Sequence, residues 1–355
     1  MRILIISLAG IGDTLFATPL IHELRANFPQ SQIDALVLWA GSRDVLEGNP
    51  HLNRIFQRNL IRAVNTESLK FLWELRKNRY DVSLNTHPQS RIHYRAVARL
   101  INAPTRLSHV YDHGSALDRI LVNRTIPQDY ARHSIENNLA FLPLLDKKPL
   151  LPGHEYEIYL SPAELAWADD FISAKNLSGV KILGLHVGSG GTKNLALRRW
   201  PLKSYVELIQ RLHESQPKLA VVLFGGPEEQ KDHEALLAEA RGYSIFDAQT
   251  KNLRQAAALL KKCDAFLSVD TALMHLAAAM KVPGQIVIET PTWNTPIQPY
   301  NRKFTLVSNP AVGGRNLEFY RYDGHGIRGT DQELRDCMAS VSVDPVYQAV
   351  VEALK

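Results

Sequence analysis

Cysteine is almost missing from this 355-residue chain, which contains only Cys263 and Cys337. Two cysteines are too few for a disulfide framework or for a zinc site built from thiolates, and such scarcity is typical of proteins in a reducing compartment. Each is expected to be a small buried hydrophobe rather than a nucleophile.

Long apolar runs are missing as well. No stretch approaches the roughly 20 apolar residues that a membrane-spanning helix needs. The N-terminal apolar run is short, is soon followed by Asp13 and has no small-residue cleavage site, so we do not interpret it as a secretory signal. We therefore expect a cytoplasmic protein.

Positive charge is concentrated in one part of the sequence. The net charge is +5, but residues 54–132 hold fourteen Lys and Arg against six Asp and Glu, so the rest of the chain is slightly acidic. Such a block suits an anionic partner: nucleic acid, an anionic membrane surface, or a phosphorylated or carboxylated substrate. A solvated helical face would have the same composition.

Short apolar runs alternate with amphipathic segments in both halves, which predicts βαβ units around parallel sheets. The predicted strands cover residues 2–7, 32–38, 80–85, 181–187, 218–226, 265–270 and 285–289. The predicted helices cover residues 18–28, 66–79, 90–102, 200–214, 228–241, 252–263 and 271–282. Pro and Gly gather at 145–162, which we interpret as the junction of two doubly wound α/β domains. Ligands of such sheets bind beyond the carboxyl ends of the strands, so residues that follow strands are the candidate site residues.

The opening stretch, MRILIISLAGIGDTLF, runs from a strand into a turn that contains Gly10 and Gly12. A dinucleotide fingerprint needs a third glycine where Leu15 stands, and the Gly-Lys-Ser/Thr ending of a phosphate-binding loop is absent. Asp13 would repel a phosphate docked at this point. The loop can instead hold this carboxylate as a general base, or Asp13 can cap the helix that follows.

The stretch HVGSGGTKNLALRRWP follows a predicted strand and is rich in glycine, hydroxyl groups and cations. Its backbone N–H groups, together with Ser189, Thr192, Lys193 and Arg198, suit an anion such as a diphosphate. The alternative is a flexible surface loop without a ligand.

Two further stretches place polar residues at strand ends. LFGGPEE puts Glu228 in the first turn of a helix, where it can accept hydrogen bonds from a ribose or merely compensate the helix dipole. SVDTALMHLAAAMKVP ends a strand with Asp270 and Thr271, and His275 lies one helical turn further on. Buried polar groups need partners, which a phosphate at the helix N-terminus would supply. The alternative is a histidine satisfied within the core.

Together, these four stretches resemble glycosyltransferase family 9, the heptosyltransferases of lipopolysaccharide core assembly. The motifs occur in the family's order over nearly the whole chain. They are Leu8, Gly12, Asp13 and Pro19 of the opening L-x-x-x-G-D-x-x-x-x-x-P, Arg199-Trp200-Pro201 after the glycine-rich loop, Gly225-Gly226 after a strand, and the Asp-x-x-x-Met-His-Leu-Ala-Ala segment at 270–278.

The resemblance implies an α/β protein with a GT-B fold, in which two Rossmann-like doubly wound parallel-sheet domains face each other across a cleft. Residues 1–160 would form the acceptor-binding domain, with the C-terminal helix near 335–355 packing back on it. Residues 161–334 would form the nucleotide-sugar-binding domain.

The resemblance also implies an inverting glycosyltransferase that moves heptose from ADP-heptose to a lipopolysaccharide core or related anionic glycan. Asp13 matches the family's proposed general base. One base is enough for inversion, whereas retention by double displacement needs a second carboxylate as nucleophile. The implied donor and diphosphate contacts are Ser189, Thr192, Lys193, Arg198, Glu228, Asp270, Thr271 and His275.

Acceptor contacts are expected from Gly12 and from arginines of the basic block, because guanidinium groups bind the carboxylates and phosphates of an inner core in bidentate fashion. These arginines are Arg58, Arg62, Arg91 and Arg95. The same charge predicts a peripheral, salt-sensitive contact with the inner membrane surface. No Asp-x-Asp motif occurs in the chain, so we expect neither a required divalent metal nor another cofactor.

Three other functions are compatible with parts of the sequence. A non-catalytic nucleotide- or glycan-binding protein can use the same scaffold, but Asp13 in its loop favours an enzyme. A sugar-nucleotide epimerase of the same fold needs further acid and base groups near the sugar, and the sequence identifies none. Nucleic-acid binding is suggested by the basic block, but no aromatic-interleaved or known motif supports it.

Overall fold

The computed structural model of the protein describes residues 1–60, 66–112, 116–190, 195–312 and 329–355. These residues form two compact units. The first comprises Met1–Tyr159 together with Thr295–Tyr300, and the second comprises Leu160–Asn294 together with the described residues from Asn301 onward. Within the described ranges, no helix combines the length and the apolar character that crossing a membrane requires.

The first unit is built on a parallel sheet in which the described strands follow the order β3-β2-β1-β4-β5-β6. The strands are β1 (Arg2–Ser7), β2 (Gln32–Val37), β3 (Arg54–Gln57), β4 (Val82–Asn85), β5 (Thr105–Val110) and β6 (Arg124–Pro127). The helices are α1 (Ile11–Asn27), α2 (Ala40–Leu46), α3 (Thr66–Arg76), α4 (Ile92–Ile101), α5 (Asp118–Leu121) and α6 (Ser134–Leu139). The strand order reverses between β1 and β4, which makes that pair the topological switch point of a doubly wound sheet.

The second unit repeats this topology, with the described strands in the order β12-β11-β10-β7-β8-β9. The strands are β7 (Ile182–Leu185), β8 (Ala220–Leu223), β9 (Ile245–Asp247), β10 (Ala265–Ser268), β11 (Gly284–Ile288) and β12 (Thr305–Val307). The helices are α7 (Pro162–Ala174), α8 (Leu202–Ser215), α9 (Gln230–Glu239), α10 (Leu253–Leu260), α11 (Ala272–Ala279), α12 (Asp331–Ala339) and α13 (Val343–Ala353). Its switch point lies between β7 and β10.

The central strands are buried on both faces, as expected of a parallel sheet covered by helices. In β1 every residue except Arg2 is buried, and all four residues of β7 are buried. The Arg-Trp-Pro motif has a structural role in the second core. Trp200 is 2% exposed there, and its indole Nε1 donates to the carbonyl oxygen of Val341 at 2.8 Å.

The C-terminal helix, α13, packs against α8 and β11 within the second unit. Its expected packing on the first unit stays a prediction. Val343, Val346 and Val350 recur with helical spacing and are buried in the core of the second unit. Their apolar stripe is therefore already covered within the unit that contains α8.

The first helix begins earlier than predicted, at Ile11 instead of residue 18, and Pro19 lies inside it. Proline has no N–H to donate to the carbonyl four residues before it. The hydroxyl of Thr18 donates to that carbonyl of Leu15 at 2.8 Å and satisfies it. Because the helix starts immediately after Gly10, Asp13 belongs to its first turn.

A short separate segment completes the first unit. Thr295–Tyr300 comes from far along the chain but belongs to this unit. The carbonyl oxygen of Gln298 lies 2.8 Å from the imidazole Nε2 of His133, and the backbone N–H of Tyr300 donates to the hydroxyl of Tyr156 at 3.4 Å.

Candidate active site

Asp13 is the third residue of α1 and lies just beyond the carboxyl end of β1. Its Oδ2 accepts a hydrogen bond from the backbone N–H of Gly10 at 2.6 Å, so the carboxylate caps its own helix. An acidic group in the first turn also interacts favourably with the helix dipole. The capping role considered from the sequence is therefore present, and it holds a half-buried carboxylate in a fixed position at the edge of the sheet.

Residues that follow the neighbouring strands hold this loop in place. The indole Nε1 of Trp39, after β2, donates to the carbonyl oxygen of Ala9 at 2.9 Å. Gln89, after β4, is fully buried; its Oε1 accepts from Leu8 N–H at 3.3 Å, and its amide nitrogen donates to the carbonyl oxygen of Thr86 at 3.0 Å. The Asp13 loop is thus fastened to both adjacent strand ends.

Tyr94 lies close enough to both Arg91 and Asp13 for their charges to act on the pKa of its phenol. Burial raises the pKa of Tyr94; the Arg91 guanidinium acts against this rise, and the Asp13 carboxylate adds to it. Arg91 and Tyr94 follow β4, which pairs with β1 at the switch point. The first unit therefore places a carboxylate, a guanidinium and a phenol at the position where doubly wound sheets bind ligands.

Among the other predicted acceptor residues, Arg95 is a correction. Its side chain is buried, and Nη1 lies 3.1 Å from Asp118 Oδ1 and donates to the carbonyl oxygen of Ser90 at 3.0 Å. Arg95 is therefore part of the fold of the first unit and does not present its guanidinium to an acceptor.

The remaining predicted acceptor residues are placed as follows. Gly12 is in the first turn of α1. Arg58 follows β3 and donates to Glu67 Oε2 at 3.0 Å. Two strand spacings separate β3 from β1, so the end of β3, which Arg58 follows, lies about 10 Å from β1, the strand that precedes Asp13. Arg62 lies outside the described residues.

At the switch point of the second unit, residues that follow β7 and β10 meet. Arg198 Nη1 donates to Asp270 Oδ2 at 2.6 Å and to Thr292 Oγ1 at 3.1 Å. His186 Nδ1 lies 3.2 Å from Thr271 Oγ1, and the same hydroxyl oxygen accepts from Met274 N–H at 3.3 Å as the N-cap of α11. Arg198, Asp270 and Thr271, which the sequence predicted for one site, are thus brought together.

The charges in this second cluster are set by burial. Burial raises the pKa of Asp270, while the Arg198 guanidinium acts to lower it. Burial, with smaller contributions from His233 and Arg199, lowers the pKa of His186 to about 3. His186 is therefore neutral at physiological pH and carries one ring proton that it can donate.

The other predicted donor residues differ in their exposure. Ser189 is buried, and its hydroxyl donates to the carbonyl oxygen of Leu195 at 2.6 Å. His275 is buried on α11, whereas Glu228 is exposed before α9. Thr192 and Lys193 lie outside the described residues, so their predicted contact with a diphosphate stays a prediction.

Sequence reasoning missed a second ion-pair network beside this cluster. Arg199 donates to Glu229 Oε1 at 2.9 Å and to Asp232 Oδ2 at 3.0 Å. Glu229 is buried, and its Oε2 accepts from the backbone N–H of Gly226 at 2.9 Å. The sequence contained a sign of this network, because Arg199 before Trp-Pro and Glu229 after Gly-Gly both lie in segments that follow strands.

Replacing Gly188 by alanine is expected to lower the free energy of unfolding by about 1–3 kcal/mol, the usual cost of overpacking. An added Cβ would overlap the Glu229 carboxylate and push it away from Arg199. Gly226→Ala is the matched control, because its Cβ would lie 3.9 Å from the same carboxylate. Chemical denaturation of both variants measures the difference; equal stabilities would contradict close packing at Gly188.

Each doubly wound unit has polar side chains at its switch point, beyond the carboxyl ends of its strands, which is where such sheets bind ligands. The chain belongs to glycosyltransferase family 9 (heptosyltransferase), whose sequence profile matches residues 68–318. It is 27% identical to lipopolysaccharide heptosyltransferase 3 of Escherichia coli over 282 residues, which cover 77% of this chain and 78% of the relative. The chain is therefore a glycosyltransferase, as predicted.

Solved structures agree with the fold. A glycosyltransferase family 9 protein from Veillonella parvula superposes with a TM-score of 0.78 at 18% identity, covering 99% of this chain and 97% of that one. The E. coli heptosyltransferase WaaC, solved with ADP-2-deoxy-2-fluoro heptose, gives a TM-score of 0.70 at 19% identity and covers 99% of both chains. The predicted GT-B fold class of two Rossmann-like units is confirmed.

Proposed function

We propose that this protein transfers heptose from ADP-heptose to a lipopolysaccharide core or related anionic glycan, with inversion at the anomeric carbon. The observation that carries the proposal is the position of Asp13: a fixed carboxylate at the switch point of the first unit, close enough to Tyr94 to act on the pKa of its phenol. The first unit binds the acceptor, and the second binds the nucleotide-sugar.

The transfer is a direct displacement. Asp13 takes the proton of an acceptor hydroxyl while the oxygen of that hydroxyl forms a bond to the anomeric carbon. The bond from the anomeric carbon to the diphosphate breaks, and its electron pair leaves with ADP. Attack from the face opposite the leaving group inverts the configuration, so no covalent sugar–enzyme intermediate is required.

The cluster of the second unit provides what a leaving diphosphate needs. Negative charge grows on that group during transfer, and preorganised donors stabilise it. Arg198 supplies a guanidinium, His186 a neutral N–H, and the first turn of α11 after Thr271 supplies backbone N–H groups. The E. coli heptosyltransferase solved with ADP-2-deoxy-2-fluoro heptose supports the same class of donor here.

A thermal-shift panel tests the donor. ADP and ADP-heptose are expected to raise the melting temperature, because a ligand that binds only the folded state stabilises it by mass action, whereas UDP and GDP should not. We expect the shift and the transferase activity to persist in a chelator, because no divalent ion is required. Stabilisation by UDP instead of ADP would overturn the proposal that ADP-heptose is the donor. Activity lost in chelator and restored by magnesium would overturn the metal-independent mechanism.

We also propose that the face formed by α3, α4 and α5 rests on an anionic membrane surface during transfer. α4 packs against both other helices, and this face exposes large apolar side chains. They are Leu69, Trp73, Ile92, Leu100, Leu117 and Ile120. Lys70 and Arg76 on α3, Lys77 directly after it and Arg99 on α4 accompany them. Such a mixture suits anionic headgroups next to an apolar layer.

Co-sedimentation with vesicles tests this surface. Binding to phosphatidylglycerol vesicles should weaken as salt rises and weaken further in Trp73→Ser, which removes the most accessible aromatic side chain of α3. Phosphatidylcholine vesicles are the control. Equal binding to neutral vesicles, or no binding to either, would contradict an electrostatic membrane contact.

A further inference from the structure

A cluster of imidazole and carboxylate groups lies on the first unit away from the Asp13 loop. It consists of His22 on α1, His51 between α2 and β3, and Glu157 in the segment before α7. One ring nitrogen of each histidine and one carboxylate oxygen all lie within 4.8 Å of one another. Among the described residues, no other group of three or more His, Cys, Asp or Glu has this spacing.

Hydrogen bonds already draw these groups together. His22 Nδ1 lies 2.7 Å from Glu157 Oε1, and the hydroxyl of Tyr159 donates to Glu157 Oε2 at 2.7 Å. The same hydroxyl lies 3.0 Å from His51 Nε2, and the two imidazole rings stack with their centroids 3.8 Å apart. Because a carboxylate only accepts hydrogen bonds, His22 Nδ1 must carry the proton in its hydrogen bond to Glu157.

The backbone around each side chain is held in place. Glu157 N–H donates to Thr18 Oγ1 at 3.0 Å, one helical turn before His22. Arg25 donates to the carbonyl oxygen of His51 at 3.3 Å. The side chains of His22, His51 and Glu157 are 16–30% exposed, so the cluster is ordered by the fold yet accessible to solvent.

We propose that His22, His51 and Glu157 form a binding site for a divalent transition-metal ion of the zinc type. Two imidazoles and a carboxylate are an established zinc ligand set, with a fourth position left for water. In a tetrahedral site, ligand atoms about 2.0–2.1 Å from the ion lie about 3.3–3.4 Å apart, so a separation of up to 4.8 Å must close by as much as about 1.4 Å. Because the two imidazole rings stack nearly parallel, one ring must turn about its side-chain torsions before both ring nitrogens can face one ion, and both side chains are partly exposed, which leaves room for that movement. The metal takes the place of the His22 proton.

The site is structural and not part of the transfer chemistry. His22 lies nine residues after Asp13 on α1, which places it about 13 Å further along the helix. The metal ties α1 to the His51 segment and to the last residues before α7. Its presence is therefore compatible with a transfer step that needs no divalent ion.

Calorimetric titration of metal-free, tag-free protein with zinc tests the site. We expect one ion per chain and a higher melting temperature in zinc. Titration with cobalt should give the visible absorption of a low-symmetry, nitrogen- and oxygen-ligated ion. His22→Ala and His51→Ala should each weaken zinc binding at least about tenfold, since even residues that only support metal ligands affect affinity by that much.

His154→Gln is the matched control. Its imidazole also pairs with a carboxylate, Glu23 Oε1 at 2.9 Å, but it is not a member of the cluster. It should keep wild-type zinc affinity and the cobalt spectrum. Wild-type protein that binds zinc no more tightly than the His22→Ala/His51→Ala double variant would overturn the proposal, even if heptose transfer from ADP-heptose were established. Failure of that transfer would leave the zinc titration unchanged.

Discussion

Asp13→Asn should lower the turnover of heptose transfer by about 10²- to 10⁴-fold, the usual contribution of a general base, while ADP binding stays unchanged. The substitution separates two roles of the same carboxylate. Asparagine keeps an oxygen that can accept from Gly10 N–H, so the cap of α1 survives, but it cannot take a proton from the acceptor. Steady-state kinetics and ADP titration of the same preparation measure both effects.

Glu333→Gln is the matched control for this experiment. Glu333 occupies the same third position of a capping box in α12, where its Oε2 accepts from Thr330 N–H at 2.7 Å. The control should change neither turnover nor ADP affinity. If Asp13→Asn keeps turnover within threefold of the wild type, Asp13 caps its helix and another group takes the acceptor proton.

Arg198→Met should lower the free energy of unfolding by about 3–5 kcal/mol, because it leaves the buried Asp270 carboxylate without its cation. ADP binding should weaken at least about tenfold, since charge-assisted hydrogen bonds to the diphosphate are lost. Urea denaturation and calorimetry measure the two effects. Arg211→Met is the control, because the exposed Arg211–Asp344 pair, 2.6 Å apart, should contribute no more than about 1 kcal/mol.

The stability loss in Arg198→Met should depend on pH in a defined direction. Burial raises the pKa of Asp270, and the variant removes the guanidinium that acts against this rise. A carboxyl group whose pKa is higher in the folded state binds its proton more tightly there, so folding loses stability as pH rises through that window. The difference in free energy of unfolding between the wild type and Arg198→Met should be larger at pH 8 than at pH 5. If that difference does not change with pH, the Asp270 carboxylate is not left charged and unpaired in Arg198→Met.

The sequence predicted the central strands of both sheets, because these strands are buried on both faces. The first strand was predicted at residues 2–7 and runs over Arg2–Ser7. Some strands at or next to the sheet edges were not predicted, namely β3, β5, β6, β9 and β12. In β3, for example, Arg54–Gln57 has no fully buried residue. The start of α1 was predicted too late: the apolar spacing after residue 18 was recognised, but not that the helix continues back through Pro19, where the Thr18 hydroxyl compensates for the missing N–H.

The sequence indicated polar residues after the strands but not how these residues pair. Strand ends identified Arg198 and Asp270, but their contact joins residues 72 positions apart and depends on packing that no local pattern encodes. Arg95 was misassigned although a signal existed: helical spacing places it on the same face of α4 as Ala98, which is buried in the core. Charge suggested an exposed arginine, whereas periodicity indicated a buried one.

The separate segment Thr295–Tyr300 makes the first unit discontinuous in the chain, and this affects the order in which the protein can assemble during synthesis. His133 and Tyr156 form hydrogen bonds with the backbone of Gln298 and Tyr300. Gln298 and Tyr300 leave the ribosome only after the strands β7–β11. The second sheet can therefore be largely in place before the first unit, although begun earlier, receives its last segment.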